Sequence, residues 1–271
     1  MEAYLCKTCG VQYSPTSTPP DRCPICQDER QYVNWRGQTW TTLDDLRKQH
    51  KNTINPAEPG LWEIATEPGF AIGQRALLVQ TSKGNLLWDC TCLLDQDIVK
   101  TIQEMGGLFA LAISHPHFYS TMVEWSHAFK GIPIYLHSSD AKWVMRPDPA
   151  IKFWSGDTLS LADGITLIRV GGHFDGSTAL HWAAGAGGQG VLLSGDMPQV
   201  VSDRNYVSFM RSYPNLIPLS ARSIHSILHN LQGLRYDRLY GGWPERVVQS
   251  DAQAVVSRSA ERYLKAIEGE T

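Results

Sequence analysis

The segment Ser114-His115-Pro116-His117-Phe118-Tyr119-Ser120 follows an apolar run at residues 108–113 that reads as a buried strand. Two imidazoles one residue apart therefore leave a strand end, and residues 118–129, stopped by Gly131, read as a helix opening at them. Three more segments share this placement. Gly171-Gly172-His173-Phe174-Asp175-Gly176-Ser177 lies between two expected strands. Ser194-Gly195-Asp196-Met197 ends an apolar strand, and Tyr240-Gly241-Gly242-Trp243 ends the last one. Side chains on loops at strand ends are held by a rigid scaffold, which a metal site requires.

Working outward, strands are expected at 76–81 and 85–89, joined by a turn at Lys83-Gly84, and at 132–136. Short strands follow at 158–161, 165–170, 177–182, 190–194 and 238–240. Asp95 can cap a helix ending at Gly106-Gly107, Ser220 a helix ending at Gly233, and residues 250–267 form a final amphipathic helix. Meandering strands interrupted by helices imply an α/β (α+β) fold, two packed sheets with helices outside. The larger unit is placed at 61–271. Residues 38–60 are a connector with a short helix capped by Thr41 or Thr42, and 1–37 form a separate small unit with no core of its own.

The chain has 271 residues, 42% hydrophobic and 19% charged, with net charge -3. That balance gives no electrostatic footprint for nucleic acid or an anionic membrane. The run at 108–113 is too short to span a bilayer, and Met1-Glu2-Ala3-Tyr4 lacks the basic and apolar regions of a secretory signal, so a cytoplasmic, reducing location is expected. The six cysteines fall in three pairs, Cys6/Cys9, Cys23/Cys26 and Cys90/Cys92. In a reducing compartment such clustering points to metal before disulfides.

Cys6-x2-Cys9 and Cys23-x2-Cys26 are separated by thirteen residues. Two residues between thiolates let a tight turn aim both sulfurs at one ion, and two such turns close a tetrahedral site. Gly10 after the first pair and Pro24 inside the second suit those turns. Tyr4-Leu5-Cys6-Lys7-Thr8-Cys9-Gly10 with Cys23-Pro24-Ile25-Cys26 resembles the rubredoxin-like domain of rubrerythrins and, equally, a zinc ribbon. Iron and electron transfer follow from the first resemblance, zinc and a structural role from the second, and four thiolates accept either metal.

The order and content of the histidine segments resemble the metallo-β-lactamase superfamily. Its pattern is His-x-His-x-Asp-His, a third histidine in a Gly-His…Gly-Ser loop, an Asp after a strand, and a C-terminal Gly-His. The resemblance runs from about Leu61 to the end and implies a four-layer αββα sandwich with metal at one edge of the sheets. Carried over, His115, His117 and His173 match the ligands of the first metal, and Asp196 the bridging carboxylate. Tyr119 and Ser120 stand where the superfamily has Asp and His, and Trp243 where it has the last histidine. Indole offers only a donor, so the second site is expected to be lost. Two ions per chain follow, one zinc or iron at the knuckle and one zinc or iron in the sandwich.

The resemblance implies a mononuclear metal-dependent hydrolase acting on a small-molecule substrate. Tyr119 is the candidate catalytic side chain; with an ordinary pKa of about 10 it can donate or position but not act as a base at neutral pH. Other readings are a mononuclear iron oxygenase resembling persulfide dioxygenases, and a non-catalytic metal-binding protein with the knuckle facing a partner. Asp89, Cys90 and Cys92, and Trp62, Trp88, Trp125 and Trp182 read as structure and packing. His127, His137, His181, His225 and His229 read as facing solvent or helix interfaces.

Overall fold

A computed structural model describes residues 1–270. Two sheets face each other. The first has seven strands in chain order: Lys51–Glu58, Leu61–Glu67, Ala76–Thr81, Gly84–Trp88, Leu108–Ala112, Ile134–His137 and Ile151–Trp154. The second has six: Thr158–Ala162, Ile165–Arg169, Thr178–Trp182, Val191–Gly195, Arg238–Gly241 and Val247–Val248.

The layering follows from strand alternation. Leu77 and Val79, Leu86 and Trp88, and Ala110 and Ala112 point inward against Leu167, Leu180, Trp182 and Leu193 of the other sheet. The residues between them, Leu78, Leu87 and Leu111, face outward and are covered with Ile98, Ile102, Val123 and Trp125 of helices Gln96–Glu104 and Met122–Ala128. On the other side Ile168, Ala179 and Leu192 pack under helices Ala221–Leu231 and Ala252–Glu268. Both faces of each sheet's central strands are buried, and the result is the four-layer αββα sandwich.

The helix starts follow from side-chain caps. Asp95 accepts from the Ile98 amide, Ser220 from Ser223 and Thr42 from Asp45. The helix expected over 118–129 is divided: a 3-10 turn covers Pro116–Phe118 and the α-helix begins at Met122. Ser120, at φ +39°, interrupts the helical run.

Two features of the organisation are set by contacts distant in sequence. Lys51–Glu58, placed in the connector, is the edge strand of the first sheet, paired antiparallel with Leu61–Glu67. It lacks apolar alternation because it is largely uncovered, and an edge tolerates Pro56. Nor does the cysteine knuckle stand apart. Cys6, Cys9, Val11, Tyr13, Cys23, Ile25 and Cys26 belong to one buried cluster with Leu78, Leu111 and Trp125 of the sandwich. The Gln12 amide donates to Ser120 O (3.1 Å) and the Ser14 amide to Met145 O (3.2 Å). Gly10, at φ +81°, lies against the sandwich so closely that a Cβ there would sit 2.2 Å from Cys92 Sγ.

Candidate metal centres

At the knuckle, Cys6 and Cys26 sulfurs are 3.5 Å apart and Cys9 and Cys23 sulfurs 3.7 Å, with all four buried. A tetrahedron with metal–sulfur bonds of ~2.3 Å has edges of ~3.8 Å, so the spacing fits one ion. The Tyr13 hydroxyl (3.0 Å to Cys23 Sγ) and the Gln38 side-chain amide (3.1 Å to Cys6 Sγ) donate to the sulfurs. These donors offset charge on buried thiolates.

The second centre forms where strand ends of the two sheets meet. Asp89, at φ +59° just beyond Gly84–Trp88, accepts from the Ser114 amide (2.7 Å), and Ser114 O accepts from Thr178 N of the other sheet (2.8 Å). Those bonds fix the start of the His-Pro-His turn. Burial pushes the Asp89 carboxyl up to about 7. Gly195, at φ +55°, passes so near that a Cβ would lie 2.6 Å from Ser114 Oγ; only glycine lets Asp196 reach the histidines from this strand.

There the side chains of His115, His117, His173 and Asp196 converge, one ligand atom from each within 4.8 Å of every other. His117 Nδ1 is 3.2 Å from His173 Nε2, and Asp196 Oδ2 is 3.3 Å from His115 Nε2 and 3.6 Å from His173 Nε2. Bonds of ~2.0–2.1 Å to nitrogen and oxygen imply tetrahedral edges of ~3.3–3.4 Å, which these distances bracket. His115 Nε2 and Asp196 Oδ1 are buried without a hydrogen-bond partner, an arrangement too costly to leave unsatisfied.

The tautomers agree. His173 Nδ1 lies 3.2 Å from Met210 O, and a carbonyl only accepts, so Nδ1 carries the hydrogen and Nε2 offers its lone pair inward. His115 Nδ1 pairs with Ser114 Oγ at 2.9 Å, leaving Nε2 inward. Burial drives His117 well below the usual imidazole value and His173 down to about 4, so both are neutral ligands at neutral pH.

Ser120, Trp243 and Tyr119, which stand where the resemblance places a second ion's ligands, are otherwise engaged. Ser120 Oγ accepts from the Gln74 side-chain amide (2.6 Å) and lies 3.5 Å from Cys92 Sγ. Trp243 Nε1 donates to Ile72 O (2.7 Å), and its ring stands edge-on to Phe118. Tyr119 is buried in the cluster shared by knuckle and helix, and burial pushes its phenol well up. Among the described residues, the four thiols and the His/Asp tetrad are the two groups that could hold an ion.

Elsewhere, Trp88, Trp125 and Trp182 are core, and Cys90 and Cys92 are buried thiols. His127 is half-exposed beside Asp148 (3.0 Å), and His181 bonds Arg235 O, both apart from the tetrad. Sequence reasoning missed the surroundings of the centre. Arg30, from just after the knuckle, reaches His173 O with Nη1 (3.4 Å) and lies 4.1 Å over the Phe174 ring. Phe174 in turn packs against the three imidazoles, with ring centroids 4.9–5.8 Å away. The Tyr213 hydroxyl donates to Asp196 O (2.9 Å). Only Phe174, inside the Gly-His-Phe segment, had a local signal.

No family model matches the sequence. Solved structures with the same fold include VMB-1 (TM-score 0.60, 14% identity, covering 80% of this chain and 98% of that one). They also include DIM-1 metallo-β-lactamase (0.59, 16%, 80% and 98%) and a metallo-β-lactamase from Cronobacter sakazakii (0.54, 18%, 80% and 97%). Fold and site together define a metallo-β-lactamase-fold protein with a four-cysteine knuckle docked on the sandwich. Along its whole length the chain is 50% identical to the uncharacterized protein YmaE of Bacillus subtilis (strain 168), over 272 residues and 98% of that protein. It belongs to the same family as YmaE.

Proposed function

We propose that the chain is a mononuclear metal-dependent hydrolase with its ion held by His115, His117, His173 and Asp196, and a structural ion at Cys6, Cys9, Cys23 and Cys26. The observation that carries this is the convergence of three imidazoles and a carboxylate at ion-sized spacing, with His115 Nε2 and Asp196 Oδ1 otherwise orphaned. We assign zinc to both, since a closed four-thiolate site and a nitrogen–oxygen tetrad suit it. The thiols, free in the fold, fit a reducing compartment such as the cytoplasm.

A bound divalent ion supplies Lewis acidity, acidifying water and polarising a carbonyl or phosphoryl oxygen. The protein supplies the rest. Ser114 Oγ and Met210 O lock the His115 and His173 rings in ligand orientation. Asp196 turns Oδ2 to the imidazoles, and Oδ1 is the free acceptor that can take a proton from water. Phe118 and Phe174 pack against His115 and exclude bulk water from it. Tyr119, with its phenol held neutral by burial in the cluster shared with the knuckle, is no base. An oxygenase site of two histidines and a carboxylate keeps open positions; here a third imidazole points at the same place, and no observation favours that reading.

The test is elemental analysis of freshly purified protein, with His173→Ala beside it. We expect two ions per chain, one of them lost in the variant together with any hydrolysis seen on a panel of esters, thioesters, phosphodiesters and β-lactams. A wild type with the knuckle ion alone, or activity that survives His173→Ala, overturns the assignment.

A further inference from the structure

Residues 28–31 connect the two centres. They begin two positions after Cys26, where the Asp28 amide caps the knuckle helix by donating to Pro24 O. Asp28 Oδ1 accepts from Arg30 Nε (2.7 Å), and Oδ2 accepts from Nη2 (3.2 Å), which aims the guanidinium over Phe174 and toward His173 O. Arg30 is only 8% exposed, so this is an ordered, covered placement.

The sandwich grips the same residues from the other side through the hairpin Met210–Ser212 and Ile217–Pro218. Ser212 Oγ donates to Arg30 O (3.2 Å), and Asn215 Nδ2 donates to both Glu29 O and Gln31 O (2.9 Å each). Arg211 pairs with Glu29 at 2.5 Å. That hairpin also supplies Met210 O, the partner of His173 Nδ1. His173 is thus held at its backbone by the knuckle segment and at its ring by the hairpin the segment grips. Beyond this grip the chain is exposed from Tyr32 to Gly37, with Trp35 uncovered, and it returns to the knuckle at Gln38 beside Cys6. Among the described residues, no hydrogen bond ties 32–37 to the sandwich.

We propose that residues 28–31 are a strap through which the four-cysteine knuckle closes the histidine centre, with Arg30 a positioning residue for His173, so that the knuckle's ion controls exchange at the sandwich site. The functional meaning rests on the hydrolase reading above; the mechanical coupling does not. A loaded knuckle fixes Cys26 and Asp28, keeps Arg30 over Phe174 and holds the hairpin at its register. An emptied knuckle frees the helix Pro24–Gln27, and the strap loses its anchor.

The test uses full-length cobalt-loaded protein. Cobalt on thiolates shows charge-transfer bands in the near ultraviolet, and cobalt on nitrogen and oxygen shows only visible ligand-field bands, so the two ions are followed separately. The double variant Arg211→Ala/Asn215→Ala cuts the strap's outer contacts at partly or fully exposed positions without touching either centre. We expect its sandwich cobalt to pass to excess EDTA about tenfold faster, as loss of the Asn215 bonds and one ion pair implies, with knuckle bands unchanged. Arg30→Ala should shift the visible bands, and Arg30→Lys restore them in part. Sandwich release within about twofold of wild type in the double variant overturns the strap. If the wild type carries only the knuckle ion, the hydrolase reading falls, and hydrogen exchange decides the strap. Chelating the knuckle ion should then speed exchange at 28–31 and at 210–215 together; exchange at 210–215 that ignores the knuckle overturns it.

Discussion

Gly10→Ala tests whether knuckle and sandwich are one folding unit. The new Cβ would stand 2.2 Å from Cys92 Sγ and 3.2 Å from the Ala71 Cβ, at a backbone φ of +81°. Left-handed backbone costs an L-residue ~1–2 kcal/mol, of which ~0.4–1 is offset by the stiffer unfolded chain. The clash cannot be relieved by rotating an exposed side chain, since Cys92 is buried beside Ser120 and Gln74. Overpacking of that kind costs ~1–3 kcal/mol. The sum is about 2–4 kcal/mol, roughly a third of a typical domain's stability. In urea unfolding of the metal-loaded protein we expect one cooperative transition displaced to lower denaturant. Cys92→Ala removes the sulfur and should absorb the clash, so the double variant Gly10→Ala/Cys92→Ala should be less destabilised than the two single effects summed, by at least about 1 kcal/mol. Additivity within ~0.5 kcal/mol would mean that the two surfaces do not touch as described. A first transition confined to the knuckle, with the sandwich unmoved, would likewise refute the shared core.

Three other outcomes follow from the same structure. Cys23→Ser should abolish the thiolate-to-metal bands and lower the melting temperature of the whole chain, because the sulfur lies in the core that also holds Leu78 and Trp125; an unshifted sandwich transition by calorimetry contradicts this. Tyr119→Phe should keep both ions by elemental analysis and slow any hydrolysis by less than the ~10²–10⁴-fold of a true acid–base group; a larger loss would make it the proton donor. Burial pushes the Asp140 carboxyl up to about 6 from 3.8, while its Oδ1 accepts from the Gly176 amide at 3.0 Å. The folded chain then keeps a proton the unfolded chain has lost, so this site's stabilisation is full below pH ~4 and declines as pH rises through ~6. Asp140→Asn removes that decline. Its stability relative to wild type, by urea melts, should rise between pH 4 and 8 by up to ~3 kcal/mol, and a flat difference would refute the assignment.

The parts of the fold legible in the sequence are those governed by local chemistry. Asp95 and Ser220 cap the helices they precede, and continuous runs of Leu and Val mark strands buried on both faces. The histidine segments were legible because each sits at a strand end in a fixed order. What escaped depends on contacts distant in sequence. Lys51–Glu58 is placed by pairing with Leu61–Glu67 and by polar contacts of Asn52 and Glu58 with distant residues, so it shows no buried stripe. Ile151–Trp154 pairs only with Ile134–His137 at the other edge. Arg30 looks like any surface arginine until the fold sets it over Phe174, and the Ser120 backbone that interrupts the expected helix is bonded by Gln12 from the knuckle.

That last bond joins the segment after the His-Pro-His turn to the docking of the knuckle. Ser120 stands where the superfamily pattern has a histidine, and its hydroxyl is taken up by Gln74 and Cys92. Its carbonyl is taken up by Gln12, and Cys92 lies directly beneath Gly10. A larger imidazole at 120 would displace Gln74 and Cys92 from the surface on which the knuckle sits, and a bulkier residue at 10 would push into the same place. The space a second ion's ligand would occupy is therefore the foundation of the knuckle's docking. Ser120→His should therefore loosen the knuckle, read as a lower melting temperature of the metal-loaded chain, before it could add a ligand to the tetrad.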